Sequence, residues 1–278
     1  MTDQLQKFCS GAMINNSKGD GRQLMITANH CVFEDLSNSI AGFNYEKLAC
    51  STSDMNISSP KTAHGMRLLA KGESSDFALF EVIEKIPQNY NVYLSGWDAN
   101  VPNLTIADTF AGIHHPSGDV KKISLFTGKL NLGSWSEGPN LKYHLVISKW
   151  SQGVTEPGSS GSPVFNSKGY FIGQLHGGAS SCSNLNGSDL YGGFSFTFNQ
   201  NGLKSILDPQ GLVRNNLILS GRNLYIPPST PVSTVTRTLT ATATATSTII
   251  NNTCQCVPKA VVDKLIQSYE SRIQLLEK

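Results

Sequence analysis

The chain has 278 residues, 15% of them charged, with 25 glycines, 12 prolines and a formal net charge of +2. Low charge with abundant turn formers favours a loop-rich all-β protein over a helical one, and the length can bury one large core or two modest ones. Lysines and arginines are scattered without a basic block, which removes the electrostatic case for nucleic-acid binding, and no run of 18 apolar residues occurs, so no membrane span is encoded.

The first residues, Met1 to Lys7, are polar and lack the apolar core of a secretory signal. Six cysteines (Cys9, Cys31, Cys50, Cys182, Cys254 and Cys256) and five Asn-x-Ser/Thr sequons (Asn15, Asn56, Asn103, Asn186 and Asn251) nevertheless belong with extracellular chains. The two signals agree if the sequence begins at an internal methionine and a signal and pro-region lie upstream. A secreted protein is therefore expected, against the alternative of a cytosolic chain with chance sequons.

From Cys9 to Phe33 apolar residues alternate with turn signals, a hairpin pattern whose second strand, Leu24 to Thr27, runs into Ala28-Asn29-His30-Cys31. A cysteine 22 residues before Cys31 suggests a Cys9–Cys31 disulfide that fixes the hairpin carrying His30. His30 is a candidate general base. Farther on, Asp76 stands at the mouth of the apolar run Phe77-Ala78-Leu79-Phe80-Glu81-Val82. A carboxylate at the edge of a core needs a partner, and it either caps a turn or orients His30. His114 and His115 look like a metal pair, but neighbours on a strand point to opposite faces and no third ligand lies nearby, so no metal site is expected. Trp150 reads as core.

The stretch Thr155-Glu156-Pro157-Gly158-Ser159-Ser160-Gly161-Ser162-Pro163-Val164-Phe165 presents a hydroxyl on a tight turn ahead of a buried strand. Gly158 and Gly161 allow backbone conformations that leave N–H groups aimed at a developing oxyanion. Ser160 is the candidate nucleophile, with the amides of Gly158 and Ser160 as oxyanion donors. The order His30, Asp76, Ser160 is that of the chymotrypsin-like proteases and differs from the subtilisin and α/β-hydrolase orders.

The strings TANHC (27–31), SSDFALFEV (74–82), SGWD (95–98), GIHHPSGDVKKIS (112–124), GVTEPGSSGSPVF (153–165), GQLHGGASSC (173–182) and SDLYGG (188–193) make residues 8 to 215 resemble the bacterial lysyl endopeptidases of the trypsin-like clan. The resemblance implies two antiparallel six-stranded β-barrels, with His30 and Asp76 from the first and Ser160 from the second. It implies a Ser-His-Asp serine endopeptidase acting on protein or peptide substrates after lysine, with no cofactor. Asp189 would sit at the base of the substrate pocket and pair with the lysine ammonium, a compact charge that suits a narrow slot. Glu156 would line the same pocket or remain an exposed turn residue. His176, with Gly177 beside it, would lie on the strand that pairs with substrate backbone. Trp135 is the match for a tryptophan that stacks on the catalytic histidine, with His176 its neighbour. Ser159 stands where trypsin has the aspartate that captures a new N-terminal ammonium, so that activation switch is expected to be absent.

Departures from the family bear on the ends of the chain. Cys9 and Cys31 match the disulfide bracing the histidine, whereas Cys50 and Cys182 match cysteines whose family partners lie upstream of Met1. Either the chain is truncated, with the first strand of its first barrel partly missing, or these two are free or pair with Cys254 and Cys256. Residues 1–225 are read as the protease domain, 226–253 as a Pro/Thr/Ala-rich linker or stalk, and 254–278 as an amphipathic helix. In that helix Val262, Ile266, Tyr269, Ile273 and Leu276 follow spacings of 4, 3, 4 and 3, a seam that could dock on the body or support weak self-association. Two rival functions stand: a glutamyl-type or broader protease of the same clan, which a negative Asp189 opposes, and a catalytically silent adhesion or binding protein, which an intact triad opposes.

Overall fold

The structure is a computed structural model that describes residues 9–32, 36, 38–47, 61–135 and 142–225. The Thr-rich stretch, the segment expected to form a C-terminal helix, Cys50, Cys254, Cys256 and the sequons at Asn56 and Asn251 lie outside the described residues.

The first half of the chain forms β1 (Ala12–Met13), β2 (Leu24–Ala28), β3 (Ile40–Phe43), β4 (Lys61–His64), β5 (Met66–Gly72), β6 (Phe77–Val82), β7 (Tyr93–Leu94) and β8 (Trp97–Asp98). The second forms β9 (Asp108–His114), β10 (Lys122–Gly128), β11 (Asn131–Gly133), β12 (His144–Ile147), β13 (Pro163–Phe165), β14 (Phe171–Gly178) and β15 (Asp189–Gly193). Helices α1 (Phe194–Thr197) and α2 (Leu203–Leu207) and the short strands β16 (Ile218–Leu219) and β17 (Arg222–Asn223) follow. β1, β2, β6 and β5 pair in that order, while β10, β9, β13, β14, β15, β12 and β11 form a longer ladder that β8 and β16 join. Among the described strands every pairing but the short contact of β8 with β14 is antiparallel. The all-β expectation holds.

The reason lies in the apolar runs. β6 reads Phe-Ala-Leu-Phe-Glu-Val, with all but Glu81 buried, and it takes the place such a run demands, between β2 and β5. Its Phe77 and Leu79 pack with Leu24 and Ile26 of β2, Trp97, Phe171 of β14 and the aromatic residues Phe194 and Phe198. This shared core binds the two halves, and each such side chain taken from water contributes about 1.5–3 kcal/mol. A second cluster under β9 to β15 contains Phe110, Phe126, Trp150, Val164 and Tyr191. The two short helices have no counterpart in the sequence reading, because segments of 4 and 5 residues are too short to show a helical period. Phe194 and Phe198 are held by Trp97 instead, at ring separations of 5.5 and 4.9 Å.

Two expectations need correction. Asn15 is 6% exposed, donates its Nδ2 to the Ser220 carbonyl at 2.8 Å and accepts the Trp97 indole N–H on its own carbonyl. It is a buried structural amide with no room for a sugar, whereas Asn103 and Asn186 are exposed. Cys182, expected to have lost its family partner through truncation, to be free, or to pair with Cys254 or Cys256, is disulfide-bonded, which removes the readings that leave it free.

Candidate active site

β2 ends in a 3-10 turn, Asn29–Cys31, and this turn carries His30 beyond the sheet edge, where its side chain is 42% exposed. The expected Cys9–Cys31 disulfide is present and anchors the turn. Asp76, immediately before β6, is 3% exposed and adopts φ 54°, a left-handed conformation that asparagine and aspartate tolerate better than other side chains. The conformation is fixed by its partners. The Asp76 carbonyl accepts the Asn29 N–H, Oδ1 accepts the His30 backbone N–H at 2.9 Å, and Oδ2 accepts the His30 Nδ1–H at 2.7 Å. His30 is thereby held with Nε2 outward, as a general base requires.

Ser160 sits on the loop between Thr155 and β13. Gly158 has φ 93° and Gly161 φ 77°, and a Cβ on Gly161 would run into the Thr27 hydroxyl and the Ala28 backbone N of β2. That close approach sets the serine loop against the strand that delivers His30. Two peptide planes are aimed by their carbonyls. The Pro157 carbonyl accepts the Ser117 N–H at 2.6 Å and the Ser159 carbonyl accepts the Ser162 N–H at 3.0 Å. Because C=O and N–H are opposed across a trans peptide, the Gly158 and Ser160 N–H groups point the other way, and among the described residues neither meets an acceptor. Two N–H groups left in this way are what an oxyanion cradle requires.

Ser10 was not singled out from the sequence, yet it stitches this loop to the first half of the chain. Its N–H donates to the Ser160 carbonyl at 2.8 Å, its hydroxyl donates to the Gly158 carbonyl at 2.9 Å and accepts the His115 N–H, and its carbonyl accepts the Thr27 hydroxyl. Nothing local announces such a serine except that it follows Cys9.

Behind His30 stands a stack of rings. The β14–β15 register shifts between Leu175 and Gly177, so His176 is the bulged residue and is turned out of the ladder. Its ring lies 5.7 Å from that of His30 at 24°, and its Nε2 is 3.6 Å from Asp76 Oδ2. Trp135 stacks on the far face at 3.8 Å and 16°. The expected stacking of Trp135 on the catalytic histidine is thus corrected, since His176 is interposed between them. Gly177 lets the indole settle, as a Cβ there would stand 3.0 Å from Trp135 Cη2. His144, also unforeseen, is 1% exposed on β12 and meets His176 through Nε2 to Nδ1 at 3.0 Å, while its own Nδ1 has no partner. The arrangement that leaves no buried N–H unpaired makes His144 Nε2–H the donor, which puts the His176 proton on Nε2, facing Asp76. Burial holds the pKa of His144 down to about 4, with His176 adding to the effect and Asp76 opposing it, and burial likewise lowers His176.

Asp189 opens β15 and is 0% exposed. Oδ2 accepts the Trp150 indole N–H at 2.6 Å, the Thr155 hydroxyl at 2.8 Å and the Ser180 hydroxyl at 2.6 Å. All three donors are neutral, and among the described residues no cation pairs with this carboxylate. Trp150 is core, as expected, but it also holds Asp189. Glu156 is engaged by the flanking loops, accepting the Ser117 hydroxyl on Oε2 and the Cys182 N–H on Oε1. His114 and His115 do face apart. His114 is buried, while the His115 ring stacks on Tyr45. His30, Asp76 and His176 bring three potential metal-ligand atoms within 4.8 Å of one another, but in the tautomers assigned above both nitrogens that face Asp76, His30 Nδ1 and His176 Nε2, carry protons.

Comparison with known proteins adds the family. A family model described as lysyl endopeptidase, C-terminal domain, matches residues 1–192. The chain is 29% identical over 207 residues to the lysyl endopeptidase of Pseudomonas aeruginosa, covering 69% of this chain but 42% of that relative's length. Among solved structures, a thermostable serine protease from an extremophilic microorganism is 15% identical with a TM-score of 0.48, covering 71% of this chain and 90% of that one. Human heparin binding protein is 13% identical with a TM-score of 0.48, covering 75% and 86%.

Proposed function

Because the chain belongs to the lysyl endopeptidase C-terminal domain family, we propose that it is a serine endopeptidase that hydrolyses peptide bonds after lysine. Ser160 Oγ attacks the carbonyl carbon. His30 Nε2 takes the hydroxyl proton and returns it to the leaving amine, while Asp76 keeps the imidazole in the required tautomer and stabilises its cationic form. The tetrahedral oxyanion is received by the Gly158 and Ser160 amides. Asp189 selects the substrate, Trp135 and His176 brace the histidine, and Gly177 gives the indole its place. The 3.8 Å stack contributes about 0.5–1.5 kcal/mol to that bracing. A structural disulfide at Cys9–Cys31 supports action in an oxidising, extracellular setting.

The observation that carries the lysine reading is the buried Asp189 carboxylate, held by neutral donors and lacking a cation among the described residues. An isolated buried charge is costly, and a substrate ammonium is the counter-ion that offsets the cost. The same charge opposes a glutamate side chain. Lysine, arginine and glutamate p-nitroanilides compared on wild type, Ser160→Ala and Asp189→Ser test the reading. Wild type should prefer lysine, Ser160→Ala should lose on the order of 10⁶ in kcat, and Asp189→Ser should lose the lysine preference while still reacting with a fluorophosphonate. Ser160→Ala turning over as fast as wild type, or a wild type that ignores both nitroanilide and fluorophosphonate, would sink it.

A further inference from the structure

His114, on β9, is 1% exposed and has no place in the reaction just described, yet both of its ring nitrogens are occupied. Nδ1 lies 2.8 Å from the hydroxyl of Ser159, the residue preceding the nucleophile, and Nε2 lies 3.1 Å from the hydroxyl of Ser124 on β10. Ser159 and Ser124 are themselves 0% and 1% exposed.

The protons in this buried chain can be placed one by one. Ser124 spends its only O–H on the Val154 carbonyl at 2.8 Å, so toward His114 it must accept, and His114 carries its proton on Nε2. Nδ1 is then a lone pair and accepts the Ser159 O–H. The Ser159 oxygen in turn accepts the Glu156 N–H at 3.2 Å. The result is one continuous series with a single direction, from the Glu156 amide through Ser159, His114 and Ser124 to the Val154 carbonyl. Its two ends grip the backbone just before Pro157 from either side of Thr155, and its middle grips the residue beside Ser160.

We propose that His114 is a positioning residue for the oxyanion cradle, a neutral internal clamp that holds the serine loop in its working form through Ser159. The proposal rests on the reading of Gly158 and Ser160 as oxyanion donors. It supplies what the loop needs in a chain whose residue before the nucleophile carries no charge to anchor it. A cationic His114 could not accept from Ser159. Burial keeps the ring neutral, with His115 and Lys122 adding to the effect.

Three variants in the full chain test the clamp. Ser159→Ala deletes the hydroxyl with almost no change of volume. His114→Leu removes both contacts, and His114→Asn restores an acceptor toward Ser159. On a lysine ester, Ser159→Ala and His114→Leu should lose about 10- to 100-fold in kcat with KM within threefold, since the donors serve the transition state rather than the bound substrate. His114→Asn should recover part of that loss. Hydrogen exchange across residues 154–162 should speed up in Ser159→Ala and His114→Leu but not across β2 and β6. If His114→Leu fails to fold, Ser159→Ala carries the test alone. The clamp is overturned by a folded Ser159→Ala whose kcat stays within twofold of wild type, or whose loop exchange is unchanged. Should wild type fail to cleave the ester while exchange in Ser159→Ala still rises, the clamp stands and the proposed function falls.

Discussion

Lowering the pH from 7 to 4.5 should cost the folded protein about 5 kcal/mol through two buried histidines alone. Burial depresses the pKa of His114 from 6.5 to about 3 and that of His144 from 6.5 to about 4. The groups facing them are His115 and Lys122 for the first, and His176 and Asp76 for the second. Because the folded values lie below the unfolded ones, the unfolded chain binds protons first, and stability present above pH 6.5 is lost as the pH falls toward the folded values. By pH 4.5 each ring has forfeited about 2.5 kcal/mol, a large part of the roughly 5–15 kcal/mol that holds a domain together. Asp20, Glu81 and Asp119 also have lowered pKa values, but carboxylates begin to count only near the bottom of this range. Urea unfolding followed by tryptophan fluorescence, at half-unit pH steps in a Ser160→Ala background that prevents self-digestion, reads the slope directly. The two rings together should contribute a slope approaching about 2.7 kcal/mol per pH unit near pH 5, and His114→Phe should remove about half of that contribution. A flat profile between pH 7 and 4.5, or an unchanged slope in His114→Phe, would refute the claim that these imidazoles are buried in neutral form.

Gly161→Ala should be poorly tolerated, costing about 2–4 kcal/mol in urea titration, because the added methyl meets Thr27 and the φ of 77° is unfavourable for alanine. A near-neutral effect would mean that the serine loop does not lie on β2. Trp135→Ala should lower kcat on a lysine ester by about fivefold with little change in KM, the loss of roughly 1 kcal/mol of stacking on His176. A rise in KM alone would instead assign the indole to substrate binding. Replacing both Cys9 and Cys31 by alanine should cost about 3 kcal/mol, as expected for a closed loop of 22 residues, and a change under 1 kcal/mol would exclude the disulfide as a brace for the histidine turn.

The residues that could be read from the sequence are those whose neighbours in the chain announce them. Ser160 stands among glycines, His30 stands beside Cys31, and Asp76 opens an apolar strand, so local pattern and chain order brought the three together. Asp189 has no such local mark and came from family resemblance. Ser10 and His144, and the hydrogen-bonding roles of His114 and Trp150, could not be found in this way, because the partners are 105, 32, 45 and 39 positions distant. A lone serine or histidine in a strand has no local signature of the hydrogen bond it will make across a sheet. The ring order was unreadable for another reason. Only the bulge at His176 slides an imidazole between Trp135 and His30, and a single-residue register shift leaves no trace in composition or period.

The Ser10 contacts have a consequence for how the site comes into being. Its bonds to Gly158 and Ser160 span 148 and 150 positions, so they form only after the opening segment and the serine loop have each folded and been brought together. Closing so long a loop is entropically expensive and comes after local structure. The proposed oxyanion cradle is therefore among the last features to be completed. A half-folded chain, whose exposed lysines are the bonds such an enzyme would cut, does not yet possess the machinery to cut them.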